Sequence, residues 1–189
     1  MRDRVAKFID KSLWEEAERK GSKALKTLIE DSLKGTSVTI ILIGSETHSR
    51  KWVKYEIIKS FCEGKGIFGI HINRIPSRNE RIIAKGENPL ERIGLEVSDD
   101  YKTITFYELV DRKWQVFKEL SEVNNRKSNS AYFPEFENGL SEFFGIRSGL
   151  AGKFFKFSQV FPGEYDWVTD DGYKNVVAWI EKSYTDVNS

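Results

Sequence analysis

Hydrophobic positions recur along this chain with two periods, and the switch between them outlines the elements. Ala24, Leu25, Leu28, Ile29 and Leu33 lie at helical spacing until Gly35 closes the run, which predicts a helix. "SVTIILIG" follows, a β-branched run with apolar residues at successive positions, the pattern of a strand covered on both faces. "GSETHS" supplies turn and cap residues, and the pattern then becomes helical again through "RKWVKYEIIKSFC". At about 100° per residue, Val53, Tyr55, Ile57, Ile58, Phe61 and Cys62 spread around most of that helix. They leave one narrow polar sector of Trp52, Glu56, Lys59, Ser60 and Glu63. "GIFGIHIN" reads as a second buried strand, entered through Gly64 and Gly66. Strand, helix and strand with short connections predict a parallel βαβ unit, with Val38–Ile43 and Ile67–Ile72 as neighbours. Such sheets bind ligands beyond the carboxyl ends of their strands, where the loop from Gly44 to Arg50 falls.

The flanking segments are less regular. Phe8 and Ile9 end a short apolar piece that stops at "DKS". From Arg74 to Val97 the chain is polar and interrupted by Pro76, Gly86, Pro89 and Gly94, a long excursion with one short helical turn. Thr103 to Leu109 alternates as a strand, and Trp114 to Leu120 fits either a hairpin partner or a helical stub. "SEVNNRKSNS" is a loop, while Tyr132 to Phe161 is rich in aromatics and glycine without periodicity and reads as an insertion over the sheet. Tyr173, Val176, Val177, Ile180 and Tyr184 form a last helical stripe, with Asp170 or Asp171 in capping position.

At 189 residues, with 39% hydrophobic and 13% aromatic content, the chain has the material for one sizeable core. We therefore expect a single domain. A net charge of +1 gives no global field for nucleic acid or an anionic membrane surface. The longest apolar run is far short of a bilayer span and the charged start lacks a signal-peptide core, so the expected location is cytoplasmic. Cys62 alone excludes an intrachain disulfide or a CxxC site, and His48 and His71 make a poor metal set; no metal is expected. Neither GxxxxGK[ST] nor GxGxxG occurs.

The stretch "GSETHSRKWVKYEIIKSFCEGKGIFGIHI" resembles the part of TIR domains that runs from the third strand through the next helix to the fourth strand. In that family a tryptophan is followed one turn later by a glutamate, the catalytic residue of the NAD-cleaving members. By that match Glu56 is the catalytic position and Trp52 its aromatic neighbour. "FIDKSLWEEA" looks like the second strand and its loop, and "YDWVTDDGYKNVVAWI" looks like the closing segment of the TIR-like proteins of the bacterial Thoeris antiphage system, the ThsB family. The resemblance covers most of the chain and implies a flavodoxin-like α/β domain, a parallel sheet with helices on both faces, plus an aromatic-rich C-terminal insertion. Its core falls at about residues 5–73 and 101–110 with a closing helix at 171–184; the insertion covers about 111–165. Family members begin with a strand resembling "VFxSFxxxD" and a helix, whereas this sequence starts at what corresponds to the second strand.

The implied chemistry suits a lone glutamate. Breaking the nicotinamide–ribose bond develops positive charge on the sugar, which a carboxylate stabilises, and nicotinamide leaves as a neutral base without an acid partner. NAD is then the substrate and no resident cofactor is needed. Ser45 and Ser49 are candidates for a ribose or phosphate contact beside Trp52, although capping the helix explains at least one hydroxyl without a ligand. The commoner explanation of a single helix glutamate is a solvated surface position, and Lys51, Lys54 and Lys59 read as solvated surface. The adjacent carboxylates of "DWVTDDGY" read as a cap and a structural hydrogen bond rather than an acid–base pair. Two functions stand: an NAD-consuming enzyme that makes a cyclic ADP-ribose-type signal for a separate effector, or a non-catalytic TIR-like module that assembles through its surfaces.

Overall fold

The computed structural model describes residues 11–76, 84–99, 103–124 and 152–188. Residues 1–10, read above as a second-strand position, and most of the aromatic-rich segment from 132 lie outside them. Helices α1 (Lys11–Lys20) and α2 (Ser22–Leu33) lead into strand β1 (Val38–Ile43). A 3-10 turn (Thr47–Ser49) then opens helix α3 (Lys51–Cys62), which returns the chain to β2 (Gly66–His71). The βαβ expectation holds residue by residue: β1 and β2 pair in parallel, with Val38 opposite Gly66 and Ile43 opposite His71. A third parallel strand, β8 (Glu164–Asp166), joins on the far side of β2, so the sheet order is β1-β2-β8.

Alternation sends the strand residues to two different layers. Ile41, Ile43 and Ile67 pack with Ile57, Ile58 and Phe61 of α3, while Ile40, Phe68 and Ile70 pack against Trp179 and Val176 of the closing helix α5 (Gly172–Asp186). Helices therefore cover both faces. This explains the continuous apolar character of the two runs, since neither face of β2 meets water. Helix α3 ends on Gly64, whose φ of 63° allows the left-handed turn. The Gly64 amide donates to Phe61 O at 2.9 Å and the Lys65 amide to Ser60 O at 3.0 Å, the two bonds of a Schellman cap. The buried Lys65 ammonium then donates to Leu33 O and Thr36 O, satisfying carbonyls at the end of α2.

The middle of the chain departs from expectation. Of the segment 101–110, assigned to the sheet core, the described part lies in a second sheet, where β4 (Thr103–Val110) pairs antiparallel with β3 (Ile93–Val97). The excursion from Arg74 thus ends in a buried strand that Gly94 and the short apolar run concealed. Trp114 belongs to a hairpin partner, β5 (Lys113–Val116), with Asp111 and Arg112 in the turn at φ 48° and 63°. β6 (Glu122–Asn124) and β7 (Phe154–Lys156) complete this sheet, before the four-residue helix α4 (Phe157–Val160). Its inner residues Leu95, Ile104, Phe106 and Phe157 join the cluster under α3, so one continuous core links the two sheets.

That packing overturns the solvated reading for Lys54, whereas Lys51 remains exposed and Lys59 is half-buried. Lys54 is 5% exposed and its ammonium meets Glu108 of β4 at 2.7 Å. Lys51 reaches Glu119 at 3.0 Å and Lys59 reaches Glu30 of α2 at 3.4 Å. All three partners come from segments distant in sequence. The stripe assigned to the last helix is also rotated: Trp179 and Ser183 face the sheet, while Tyr173 and Val177 are 85% and 60% exposed. Among the described residues, no helix is long and apolar enough to cross a membrane.

Candidate functional site

The carboxyl ends of β1 and β2 gather the candidate residues. Beyond β1 the chain turns at Gly44, and Thr47 locks the turn: its hydroxyl accepts from the Gly44 amide at 2.9 Å and donates to Leu42 O at 3.2 Å. Ser49 donates to Glu46 O at 2.9 Å within the 3-10 turn, while Arg50 stands at the N-cap of α3 without a side-chain cap bond, so the hydroxyls do not cap that helix as expected. Ser45 is exposed at the tip of the turn. The turn delivers the chain into α3, whose first turn carries Trp52 and whose second carries Glu56.

Glu56 is half-buried, not a solvated surface residue. Ser60, one turn further on, donates to Glu56 O at 2.8 Å. With that hydrogen committed, the Thr39 hydroxyl of β1 supplies the one between Thr39 and Ser60, 2.8 Å apart and buried. This stripe of α3 therefore runs along β1, which has a strand neighbour on one side only among the described residues. Tyr55, around the helix, donates to Glu30 of α2 at 2.6 Å and stacks edge-on with Trp52 at 5.9 Å. Lys51 lies over the Trp52 ring at 4.4 Å. The Glu56 carboxylate itself has neither a hydrogen bond nor an ion pair among the described residues, and burial pushes its pKa above the ordinary glutamate range. An isolated carboxylate that has lost part of its water is one whose charge a cation can still recover.

A second constellation, absent from the sequence reading, stands one strand over. His71 is 2% exposed at the end of β2, and its Nε2 lies 2.6 Å from Glu164 Oε1 on β8. The buried Asn88 donates from Nδ2 to the other oxygen, Glu164 Oε2, at 2.8 Å, while its Oδ1 accepts from the Leu90 amide. Burial works against the Glu164 charge, but the hydrogen bonds from Asn88 and His71, with Lys85 nearby, hold its pKa below the usual carboxylate range. Beside it opens a cavity of about 310 Å³, bordered by Arg74, Asp166 and Asp170 as well. Asp166 accepts from the Val168 and Thr169 amides, and Asp170 from the Asp166 amide, the structural hydrogen bond expected of "DWVTDDGY"; Asp171 holds the N-cap position of α5 but makes no side-chain cap bond and pairs with Lys174 instead. The sequence offered one signal for this site, a histidine inside an otherwise apolar strand. Its partner lies 93 residues away, on a three-residue strand too short to show periodicity.

The two constellations share a wall. A side chain on Gly86 would come within 1.9 Å of Gly44 O, so the segment that carries Lys85 and Asn88 runs directly against the turn that carries Ser45. Among the described residues no group of three or more His, Cys, Asp or Glu is placed to hold a metal ion. Cys62 is no candidate nucleophile, because burial pushes its thiol up to about 12.

Comparison with known proteins agrees with this geometry at the level of the family. The family described as Thoeris protein ThsB, TIR-like domain, matches residues 2–77, the segment that contains β1, α3 and β2. A Bacillus cereus (strain MSX-D12) protein named "Putative cyclic ADP-D-ribose synthase ThsB1" is 39% identical over 176 residues, covering 93% of this chain and 82% of that protein. The chain belongs to the Thoeris ThsB family of TIR-like proteins. The similarity to ThsB1 covers 93% of the chain, so it extends well past the family match and takes in the antiparallel sheet as well as the βαβ unit.

Proposed function

We propose that this ThsB-family protein is an NAD-consuming enzyme of antiphage defence, in which Glu56 meets the positive charge that develops on ribose as nicotinamide leaves. The observation that carries the reading is the Glu56 carboxylate, half-buried and without a partner among the described residues, one helical turn from Trp52 on the crossover helix of a parallel βαβ unit. The name of the 39% identical relative supports it. A desolvated carboxylate attracts an adjacent oxocarbenium centre more strongly than a hydrated one does, because less solvent screens the pair. Trp52 provides an apolar wall that keeps water from the cation. With water excluded, the nucleophile held closest captures the ribosyl carbon, and a group on the same molecule gives a cyclic ADP-ribose-type product, a diffusible signal for a separate effector. Ser45 and Ser49 flank this site, Ser45 as the free hydroxyl for a ribose or phosphate oxygen. NAD is substrate here, and no resident cofactor takes part.

Glu56→Gln preserves size and removes the charge. It is expected to abolish nicotinamide release from NAD, followed by chromatography on purified protein and in expressing cells with and without phage infection. A Glu56→Gln protein that cleaves NAD as fast as the parent contradicts the assignment.

A second reading, an assembly module without catalysis, is favoured by one feature: α5 presents Tyr173 and Val177 outward, and β1 keeps one side open among the described residues. Light scattering tests self-association through these surfaces, and a parent protein that releases no nicotinamide even in infected cells makes this the better reading.

A further inference from the structure

We propose that the cavity at the carboxyl ends of β2 and β8 is a second binding site, built for a ribose phosphate: Glu164 accepts hydrogen bonds from the sugar's vicinal hydroxyls, and Lys85 and Arg74 meet the phosphate. The proposal rests on how Glu164 is held. One of its oxygens faces the imidazole of the buried His71 and the other takes the amide of the buried Asn88. An ionised carboxylate only accepts, so His71 Nε2 carries the hydrogen in that bond. Two donors from the interior therefore fix the carboxylate's plane, and each oxygen keeps a further lone pair, while the side chain is 40% exposed. A carboxylate so aimed, with one free acceptor position on each oxygen, matches two adjacent hydroxyl donors. Packing does not account for this arrangement. Among the described residues His71 Nδ1 is buried without a partner, so the imidazole is held at a cost that a purely structural salt bridge on the surface would not require.

The cations at the rim select the rest of the ligand. Lys85 lies 3.8 Å from Glu164, beyond hydrogen-bond reach, and is 61% exposed. Arg74 touches Asp166 through Nε at 3.4 Å, leaving its two terminal nitrogens without a partner among the described residues. Asp166 and Asp170 are already engaged by backbone amides of the turn and do not offer a matching site for a cationic ligand. A volume of about 310 Å³ is at the small end of ligand pockets, which suits a sugar phosphate or that part of a nucleotide.

Binding of ribose 5-phosphate to the Glu56→Gln protein, measured by calorimetry, tests this without turnover and independently of the catalytic reading. We expect saturable binding. Glu164→Gln should weaken it at least tenfold, Lys85→Ala should weaken it and flatten its salt dependence, and 2-deoxyribose 5-phosphate should bind several-fold more weakly than the ribose compound. Lys85 is exposed, so that variant reports even if Glu164→Gln disturbs the fold. In the active parent, a raised KM for NAD with unchanged kcat in Lys85→Ala identifies the ligand as part of the substrate. Unchanged NAD kinetics with weakened ADP-ribose binding identifies a separate nucleotide ligand. Absence of ribose 5-phosphate binding overturns the proposal, as does equal affinity for the deoxy compound or sensitivity to Lys85→Ala alone, which would mean an anion on a surface lysine.

Discussion

Glu56 on the crossover helix α3 and Glu164 on strand β8 belong to the same parallel α/β unit, yet the protein treats their charges in opposite ways. Glu56 has lost water and gained no partner, and burial raises its pKa. Glu164 is also partly desolvated, but Asn88 and His71 return more than burial removes, and its pKa is lowered. The first carboxylate retains an unmet demand for positive charge, which is the property needed to stabilise an oxocarbenium-like centre. The second is satisfied at rest and held in one orientation, which suits recognition. On the proposed roles, catalytic power and binding precision come from two environments of the same side chain, set by whether the surroundings supply donors.

The sharpest break in this comparison is Glu56→Gln. Removing a charge-stabilising group costs on the order of 10²–10³ in rate, so nicotinamide release should fall by at least about 10²-fold, whereas Glu164→Gln should leave more activity behind. Next in size is Gly86→Ala, because its new methyl would overlap Gly44 O and force apart the wall that both sites share. A loss of about 1–3 kcal/mol is expected from overpacking, seen as a lower melting temperature together with weaker ribose 5-phosphate binding.

The melting temperatures of the two glutamine variants sharpen the comparison further, since they should move in opposite directions. A raised carboxyl pKa means that the folded protein binds more protons than the unfolded chain, so this group lowers stability as pH rises. Glu56→Gln should therefore melt slightly above the parent at neutral pH, with the difference closing as pH falls below the ordinary carboxyl range. Glu164 has a lowered pKa and contributes stability above the unfolded value that is lost as pH falls through the folded one. Glu164→Gln should melt below the parent at neutral pH, and this gap too should close in acid. Same-sign shifts in calorimetric scans at pH 7 would break the contrast. The smallest effect is expected at Ser45, exposed and outside the turn's hydrogen bonds: Ser45→Ala should change stability by less than about 0.5 kcal/mol and show itself only as a raised KM for NAD.

Half of this arrangement was legible in the sequence. The runs at Val38–Ile43 and Gly66–His71 are strong signals because helices cover both faces of β2 and most of β1, leaving Thr39 and His71 as the polar residues in two otherwise apolar stretches. The position of Trp52 and Glu56 on the helix between those strands was legible too, while their proposed roles came from the family resemblance alone. The other half depends on long-range pairing. Lys54 looks like surface until β4 brings Glu108 to it, and β3 hides in a stretch dominated by prolines and glycines. Glu164 belongs to a strand of three residues placed by its register with Gly69, Ile70 and His71 and by the stacking of Tyr165 on Trp179, partners that all lie outside the strand. Local periodicity carries no trace of such contacts, and polar residues that meet across the fold look solvated when read along the chain.

The carboxyl carbon titration of the parent protein, followed by NMR with Glu56 and Glu164 assigned through their glutamine variants, addresses the contrast most directly. The account predicts that Glu56 titrates above the ordinary glutamate range, at the same pH where nicotinamide release falls on the acid side, and that Glu164 titrates below it. Both carboxyls titrating together at the ordinary value, or activity falling with Glu164 instead of Glu56, would contradict it.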